Sequence, residues 1–167
     1  MIREIIKKDS GFTILETIVA VGLIAVGLVA ALALISTSLF YVSNIQNRLI
    51  AANLMAEGIE TVRNIRDNNW LQNQPWNNGL ANGDYQTACQ LPSCGSILFS
   101  SYSGNPLLYD SNTGLYNYGS GTATSFVRKI SITNLSSYEI QVVSMVSWQR
   151  GKINYSDSAE EHLFNWK

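Results

Sequence analysis

The feature that most constrains this chain is a long stretch without charge near its amino terminus. No Asp, Glu, Lys or Arg occurs from Thr17 to Asn47, and the segment from Ile18 to Ile35 contains only Ile, Val, Ala, Gly and Leu. A helix needs about 20 such residues to cross the hydrocarbon core of a bilayer. A core helix of a soluble protein seldom stays apolar on every face for this length. The segment therefore predicts one membrane-spanning helix.

The residues before this stretch are few and polar, and they include the bases Arg3, Lys7 and Lys8. Positive charges before an apolar segment keep that end in the cytoplasm, so the rest of the chain is expected outside it. A secretory signal peptide begins in a similar way, but a cleavage site follows its shorter apolar region. Here the apolar helix runs on into amphipathic sequence, and no cysteine lies near it. The pattern argues against both a secretory signal and a lipoprotein anchor.

The junction between the basic residues and the apolar helix reads Gly11-Phe12-Thr13-Ile14-Leu15-Glu16. This junction strongly resembles the type IV prepilin family, whose members have a basic leader ending in glycine, then phenylalanine, and a glutamate at the fifth mature position. A carboxylate at the start of a membrane span is costly, which makes the combination specific. The resemblance implies a leader at residues 1–11, cleavage by a prepilin peptidase between Gly11 and Phe12, and methylation of the new amino group of Phe12.

The resemblance also implies a role for Glu16 in subunit assembly. In lipid its carboxylate is strongly disfavoured unless it is protonated or paired. Family precedent supplies the positive partner from the amino terminus of a neighbouring subunit in a fibre. A second reading stays open, in which Glu16 lies at the headgroup boundary and takes no part in assembly.

Beyond the aromatic pair Phe40-Tyr41, which suits a membrane interface, apolar residues recur at three- and four-residue spacing. This spacing predicts an amphipathic helix over residues 43–69 that packs on a core and ends around residues 67–69. The predicted core-facing residues are Ile45, Leu49, Ala52, Ala56, Ile59 and Val62. The predicted polar face holds Asn44, Asn47, Arg48, Glu57, Glu60, Arg63 and Arg66, with Glu60 and Arg63 spaced to pair.

The remaining sequence predicts a β-rich head. Residues 71–125 are rich in Asn, Gly and Ser and are expected to form turns and short strands, with one hairpin turning at Asp110-Ser-Asn-Thr-Gly114. Those residues faintly resemble a calcium loop, but the later acidic ligands are missing, so a simple turn is favoured. From Phe126 onward, alternating apolar residues predict antiparallel strands with turns at residues 135–137 and 149–152. The long helix is expected to cover this sheet.

Cys89 and Cys94 are the only cysteines. A position outside the cytoplasm permits a structural disulfide between them, with a stabilising effect at the low end of about 2–4 kcal/mol because the loop is small. Metal binding or redox chemistry would need more ligands or a C-x-x-C spacing.

Composition excludes several other functions. Only 14% of residues are charged and the net charge is −1, so no basic patch favours specific nucleic-acid binding. Two cysteines and the single histidine, His162, fall short of the about four ligands that a structural zinc site needs. The sequence offers no Ser/His/Asp arrangement or phosphate-binding glycine loop that could include His162, so this histidine is expected at the surface. The sequence predicts no enzyme, no cofactor and no metal.

The fold predicted from these observations is α+β and pilin-like. Residues 12–42 form a transmembrane and fibre-core helix, residues 43–69 the amphipathic helix, and residues 70–167 the loop-rich antiparallel head. The helix at residues 51–67 also resembles, more weakly, that of minor pilins and minor pseudopilins of type II secretion. The resemblance implies a structural subunit of a type IV pilus-like fibre, anchored once in the cytoplasmic (inner) membrane with its head outside and then part of an extracellular or periplasmic fibre.

The implied partners are other pilin subunits, the prepilin peptidase, the inner-membrane assembly platform and, before assembly, membrane lipid. Two alternatives stay open. One is an adhesion or binding subunit at the fibre tip, with the aromatic and Asn-rich loops between Trp70 and Tyr118 as its contact surface. The other is a single-pass anchored extracytoplasmic protein, either a binding protein or an enzyme in which the leader motif occurs by chance.

Overall fold

The computed structural model describes residues 11–90 and 96–166. The chain divides into two compact units, Met1–Ile45 and Gln46–Lys167. Of the described residues, those of the amino-terminal unit form the first part of one long helix, preceded by a short irregular segment. The carboxyl-terminal unit contains the rest of that helix and all strands of the described residues. The predicted α+β architecture, a long helix packed on antiparallel sheets, is confirmed.

Helix α1 spans Ile14–Leu71. It ends slightly beyond the predicted boundary because its last turn is tied to the following loop. The Asn69 amide Nδ2 donates to the carbonyl oxygens of Trp76 and Asn78, at 3.1 Å and 2.8 Å. These bonds keep Asn69 buried and helical where an Asn-rich sequence alone predicts a loop.

The strands form two antiparallel sheets. The bounds of the strands are β1 Gly83–Gln90, β2 Ser96–Ser101, β3 Leu108–Asp110, β4 Leu115–Asn117, β5 Thr122–Ala123, β6 Val127–Asn134, β7 Glu139–Arg150 and β8 Ile153–Phe164. The larger sheet has the order β2-β1-β6-β7-β8 and the smaller the order β4-β3-β5. The predicted hairpin at β3–β4, the turn at residues 135–137 and the strands after Phe126 are confirmed.

The core of the carboxyl-terminal unit lies between α1 and one face of the larger sheet. Alternate residues of β6 and β7 are buried, as the period of two predicts. One cluster of buried side chains surrounds Val62 and Ile140, and a second surrounds Leu54 and Trp148. Helix and sheet therefore bury one face each against the other.

The prediction of which helix residues face this core is wrong at four positions and right at two. Ile59 and Val62 are buried, whereas Ile45, Leu49, Ala52 and Ala56 are exposed. The buried stripe instead begins with Ala51, Leu54, Met55 and Gly58. The reason is a close approach at Gly58, where an added Cβ would lie 2.5 Å from the Ser144 Oγ of β7. Apolar spacing alone does not distinguish neighbouring faces of a helix this rich in alanine.

Two further predictions need correction. Residues 71–125 are predicted to form turns and short strands, but two of the strands are longer than expected, since β1 and β2 pair over six positions within the larger sheet. Their alternation is hidden in the sequence because the residues that β1 buries include the polar Gln86 and Thr87. Arg66, predicted on the polar face, is buried, and its guanidinium lies 4.7 Å from the Trp70 ring centroid.

Candidate processing and assembly site

The predicted cleavage site lies immediately before α1. Gly11, Phe12 and Thr13 adopt no regular secondary structure and are exposed. A Cβ added to Gly11 would meet no atom within 4 Å, so the fold of the described residues sets no requirement for glycine there. The peptide bond between Gly11 and Phe12 is accessible, and a need for glycine would come from a processing enzyme. The leader bases Arg3, Lys7 and Lys8 lie outside the described residues.

Helix α1 starts with a cap that includes Glu16. The Thr13 side-chain oxygen accepts a hydrogen bond from the Glu16 backbone N–H at 3.3 Å, and Thr17 N donates to Thr13 O at 3.2 Å. The spacing Thr-x-x-Glu is that of a capping box, in which a side chain satisfies an amide left free at the helix start. The exposed Glu16 carboxylate lies in the first turn, where the helix dipole favours a negative charge.

The part of α1 that follows is apolar and exposed on all sides. Its most apolar 18-residue window has a mean hydropathy of 3.0, none of that window is buried, and the helix meets the length and composition needed to cross a membrane. A soluble core helix that passes the same test would be mostly buried. Gly22 and Gly27 have no atom within 4 Å of an added Cβ, so both leave room for a neighbouring helix.

One protein family matches these same residues. The prokaryotic N-terminal methylation motif matches residues 6–32, which include the junction at Gly11 and the start of the apolar helix. This motif is the signature of type IV pilins and pseudopilins, and at these residues it supports a prepilin-like amino terminus that is processed. Curated proteins and solved structures contain no match to the chain.

A motif of this kind implies, in general terms, association with pilin subunits and a prepilin peptidase. The helix that follows it is long and apolar enough to cross a membrane. Among residues 11–90 and 96–166, no group of three or more His, Cys, Asp or Glu side chains is placed to hold a metal ion. The predicted disulfide of Cys89 with Cys94 falls outside what the structure describes. The backbone of Cys89 lies in β1, opposite Ile97 of β2.

The predicted ion pair on the helix surface is confirmed and is extended by the sheet. Arg63 Nη1 lies 2.5 Å from Glu60 Oε2, and its Nη2 lies 2.6 Å from the Glu161 Oε1 of β8. The hydrogen bond with Glu161 is the main cause that raises the pKa of Arg63. Glu60 and Arg63 are spaced to meet on any helix, whereas Glu161 is brought in only by the tertiary fold.

A fully buried arginine, Arg128, was missed by sequence reasoning. Its Nη1 lies 3.0 Å from Glu57 Oε2 and 2.9 Å from the Leu54 carbonyl oxygen, and its Nη2 donates to the Thr87 carbonyl. The signal was in the alternation of β6, which places residue 128 on the same face as Ile130 and Ile132. The alternation by itself does not predict a buried arginine, because Arg is almost never fully buried unless it is paired.

Further polar groups are buried in the same unit. Thr87 Oγ1, Asn117 Nδ2 and Ser144 Oγ have no hydrogen-bond partner within the described part of the chain. Burial is the main cause that raises the pKa of Tyr118.

His162 lies at the surface, as predicted, but it has two carboxylate neighbours. Its Nδ1 lies 2.6 Å from Glu139 Oε1 and its Nε2 lies 3.1 Å from Glu160 Oε1. The hydrogen bond with Glu139 is the main cause that raises the pKa of His162, followed by the bond with Glu160. Both ring nitrogens donate only when the imidazole is charged.

The loops between Trp70 and Tyr118 use most of their aromatic side chains for packing. Trp76 is buried, and the Tyr85 and Phe99 rings stack at 4.6 Å between centroids. The turn at Asp110 is closed by its own backbone, because the Asp110 carbonyl accepts from Gly114 N and its side chain accepts from Asn112 N, both at 2.8 Å. These contacts account for the turn without a bound ion.

Proposed function

We propose that this chain is a minor pilin or a closely related pseudopilin, a structural subunit of a type IV pilus-like fibre. The observation that carries the proposal is the position of Glu16. It lies in the first turn of an exposed apolar helix, four residues after an accessible bond between Gly11 and Phe12. The methylation motif covers the same residues.

In this proposal residues 1–11 are the leader, with Arg3, Lys7 and Lys8 on the cytoplasmic side. Prepilin peptidase hydrolyses the bond between Gly11 and Phe12, and the freed Phe12 amino group is methylated. Residues 12–42 anchor the subunit in the membrane and later pack in the fibre core. Residues 43–69 pack on the head at residues 70–167, which lies outside the cytoplasm in an extracellular or periplasmic fibre.

The Glu16 carboxylate is the proposed assembly group. An isolated charge among lipid tails or packed apolar helices is costly. The amino terminus of a neighbouring subunit, created by cleavage, supplies the opposite charge. Partners before and during assembly are membrane lipid, the assembly platform and other subunits, and the proposal requires no cofactor. The resemblance at residues 51–67 favours an accessory subunit over a major one.

Processing is tested by coexpressing the chain with an active prepilin peptidase and measuring its mass. We expect the wild-type chain to lose residues 1–11 and gain one methyl group, and Gly11→Ala to keep its full mass. Gly22→Ala is the matched control, because an added Cβ at Gly11 or at Gly22 meets no atom within 4 Å. A wild-type chain of unchanged mass beside active peptidase contradicts the proposal.

Assembly is tested by comparing two neighbouring positions at the helix start. Glu16→Gln removes the charge but keeps a similar shape, and we expect it to abolish incorporation into fibres. Thr13→Ala removes only the cap oxygen, which costs about 1 kcal/mol of local helix stability, and incorporation should persist. Equal incorporation of Glu16→Gln and wild type would exclude the pairing role of Glu16 and favour a position at the headgroup boundary.

A further inference from the structure

Strand β8 lies at an edge of the larger sheet. Among the strands that the structure describes, it pairs with β7 alone, over all 12 of its residues from Ile153 to Phe164. The backbone on its other side, here called the free edge, has no strand to bond within the described part of the chain. Such an edge presents a row of N–H and C=O groups that another chain can pair with.

The register shows which backbone groups point toward the free edge. In an antiparallel pair, residues that bond across the pair alternate with residues whose N–H and C=O groups point outward. Tyr138 and Asn165 continue the β7–β8 register, and the Asn165 N–H donates to the Tyr138 carbonyl at 2.8 Å. Odd-numbered residues of β8 therefore bond to β7, and even-numbered residues point outward. The outward residues are all exposed: Asn154, Ser156, Ser158, Glu160, His162 and Phe164.

The free edge lacks most of the features that keep natural strand edges from pairing. Such features include a short strand, a β-bulge, proline and lysine. Strand β8 has 12 residues, against about six in a typical strand. Its register with β7 contains no bulge, and its sequence contains no Pro, Lys or Arg. The backbone of β8 is therefore open to an added strand.

The side chains of β8 carry negative charge, which determines the kind of strand that fits. The three acidic residues are Asp157, Glu160 and Glu161. Glu161 is paired with Arg63, and Glu160 contacts His162. Asp157 is partly exposed and has no ion pair within the described part of the chain. Its carboxylate is available to a positive group from outside.

The same carboxylates oppose pairing with a second copy of β8. Any register that pairs most of the strand with its copy, in either direction, brings the acidic residues of the two copies close together. Like charges across a strand pair are destabilising, and opposite charges are favourable. Recognition of one partner often combines such attraction with repulsion of another. The free edge therefore fits an extended segment that carries Lys or Arg.

We propose that β8 binds an extended, basic segment of a different pilin subunit as an additional strand of the larger sheet. The outward N–H and C=O groups bond to the backbone of that segment, and one of its Lys or Arg residues lies opposite Asp157. In contacts of this type the backbone bonds give affinity and the alternate side chains give specificity. Each chain has one β8 and takes one such neighbour, as suits an accessory subunit. In this respect the inference rests on the function proposed above.

Photo-crosslinking in assembled fibres tests the contact. A photoactivatable phenylalanine analogue replaces Ser156, an exposed residue of the free edge, in cells that express the prepilin peptidase and the other pilin subunits. We expect an adduct with one other subunit, at a segment that contains Lys or Arg. The proposal is overturned by the absence of an adduct, by an adduct of two copies of this chain, or by an adduct at a segment without basic residues.

A proline at position 158 tests whether the backbone forms the contact. The Ser158 N–H points outward, so Ser158→Pro removes a donor of the free edge and leaves the bonds to β7 intact, and edge strands accept proline at such positions. We expect the yield of the adduct to fall about tenfold, as for the loss of one backbone hydrogen bond, while the matched Ser158→Ala keeps the wild-type yield. Melting temperatures show that both variants are folded. An unchanged yield from the folded proline variant contradicts strand addition.

Amide hydrogen exchange tests the free edge without any substitution. In the full chain in mild detergent, before assembly, the amides of Ser156, Ser158 and Glu160 should be protected about tenfold less than those of Asp157 and Ala159, because only the latter two bond to β7. Equal protection of the two sets would show that the edge is already occupied, and the proposal would then be wrong.

Neutralisation of Asp157 tests the charge of the partner. Asp157→Asn should lower the yield of the adduct about twofold to threefold, as expected for the loss of a charge pair across two strands. Asp110→Asn is the matched control, because it also removes one carboxylate, at the end of β3 in the smaller sheet, and should leave the yield unchanged. Equal effects of the two changes exclude a basic residue opposite Asp157.

Failure of this contact and failure of the proposed function give different results. If the leader is removed and fibres form but no adduct appears, only the contact at β8 is wrong. If the wild-type leader is retained beside active peptidase, the proposed function itself fails.

Discussion

Arg128 Nη1 lies 3.0 Å from Glu57 Oε2, and this contact joins β6 to α1. The arginine side chain has no exposed surface, whereas that of Glu57 is 41% exposed. The same guanidinium donates to the carbonyls of Leu54 in α1 and Thr87 in β1. One side chain therefore connects three elements of the carboxyl-terminal unit, and the fan of donors on arginine makes this possible.

Loss of the carboxylate at residue 57 should destabilise this unit. Glu57→Leu leaves a buried cation with only carbonyl partners, a change that costs about 3–5 kcal/mol for a fully buried pair. Because Glu57 is partly exposed, we expect a smaller cost, of about 2 kcal/mol. Urea unfolding of the full chain in mild detergent, followed by tryptophan fluorescence, measures it.

Glu60→Leu is the matched control for Glu57→Leu. It lies one turn away on the same helix, and its ion-pair partner, Arg63, is partly exposed and keeps Glu161. Exposed pairs contribute about 0–1 kcal/mol. Equal costs for the two changes would show that burial of Arg128 does not govern the stability of this unit.

The close approach of α1 to β7 makes Gly58 a second sensitive position. Alanine is favoured over glycine in helices by about 1 kcal/mol, yet we expect Gly58→Ala to destabilise the unit by about 1–3 kcal/mol. The added Cβ would lie 2.5 Å from Ser144 Oγ and 3.2 Å from Ile130 Cδ1. Urea unfolding of the full chain measures the change.

Two further variants test whether the steric contact at Gly58 causes this loss of stability. Ser144→Ala removes the hydroxyl that the new Cβ meets, so Gly58→Ala should cost less in that background than in the wild type. Gly27→Ala in the amino-terminal unit meets no atom within 4 Å and should leave the unfolding of the carboxyl-terminal unit unchanged. A neutral or stabilising Gly58→Ala would disprove the steric argument.

The pH dependence of stability should include a contribution from His162. Its folded pKa is raised above the ordinary 6.5, chiefly by the hydrogen bond with Glu139. A raised pKa stabilises the folded state fully below pH 6.5, and this stabilisation is lost as the pH rises through the folded value. The lowered pKa of Glu160 acts in a separate, more acidic range, where stability falls as the pH decreases.

NMR titration gives a direct measurement, because the chain has one histidine and hence one imidazole signal. We expect a pKa above 6.5 in the folded chain, a larger decrease on Glu139→Gln than on Glu160→Gln, and a flatter stability profile above pH 6.5 for His162→Gln. A folded-state pKa at or below 6.5 would rule out this contribution.

Sequence reasoning predicted the head only in part, and the errors share a cause. The alternation of apolar and polar residues in β6 and β7 can be recognised in the sequence because their buried residues are mostly apolar. The same face of β1 buries Thr87, whose carbonyl accepts from Arg128, so its strand pattern reads as polar loop. The Thr87 hydroxyl has no hydrogen-bond partner among the described residues, so burial at this position is set by the distant arginine that bonds its backbone carbonyl and not by any pattern within β1.

The sequence by itself determined the amino-terminal part of this protein. A charge-free apolar helix follows from composition, since an exposed apolar helix needs no tertiary partner within its own chain, and the residues from Gly11 to Glu16 carry the resemblance to prepilins. The helix, predicted from residue 12, begins at Ile14 after the Thr13 cap. Only the tertiary structure decided that Arg128 is buried, that Ala51 rather than Leu49 faces the core, and that His162 lies between two carboxylates. These features depend on contacts between residues far apart in the chain. Burial makes the energies of such contacts large, and the periodicity of the sequence carries no information about them.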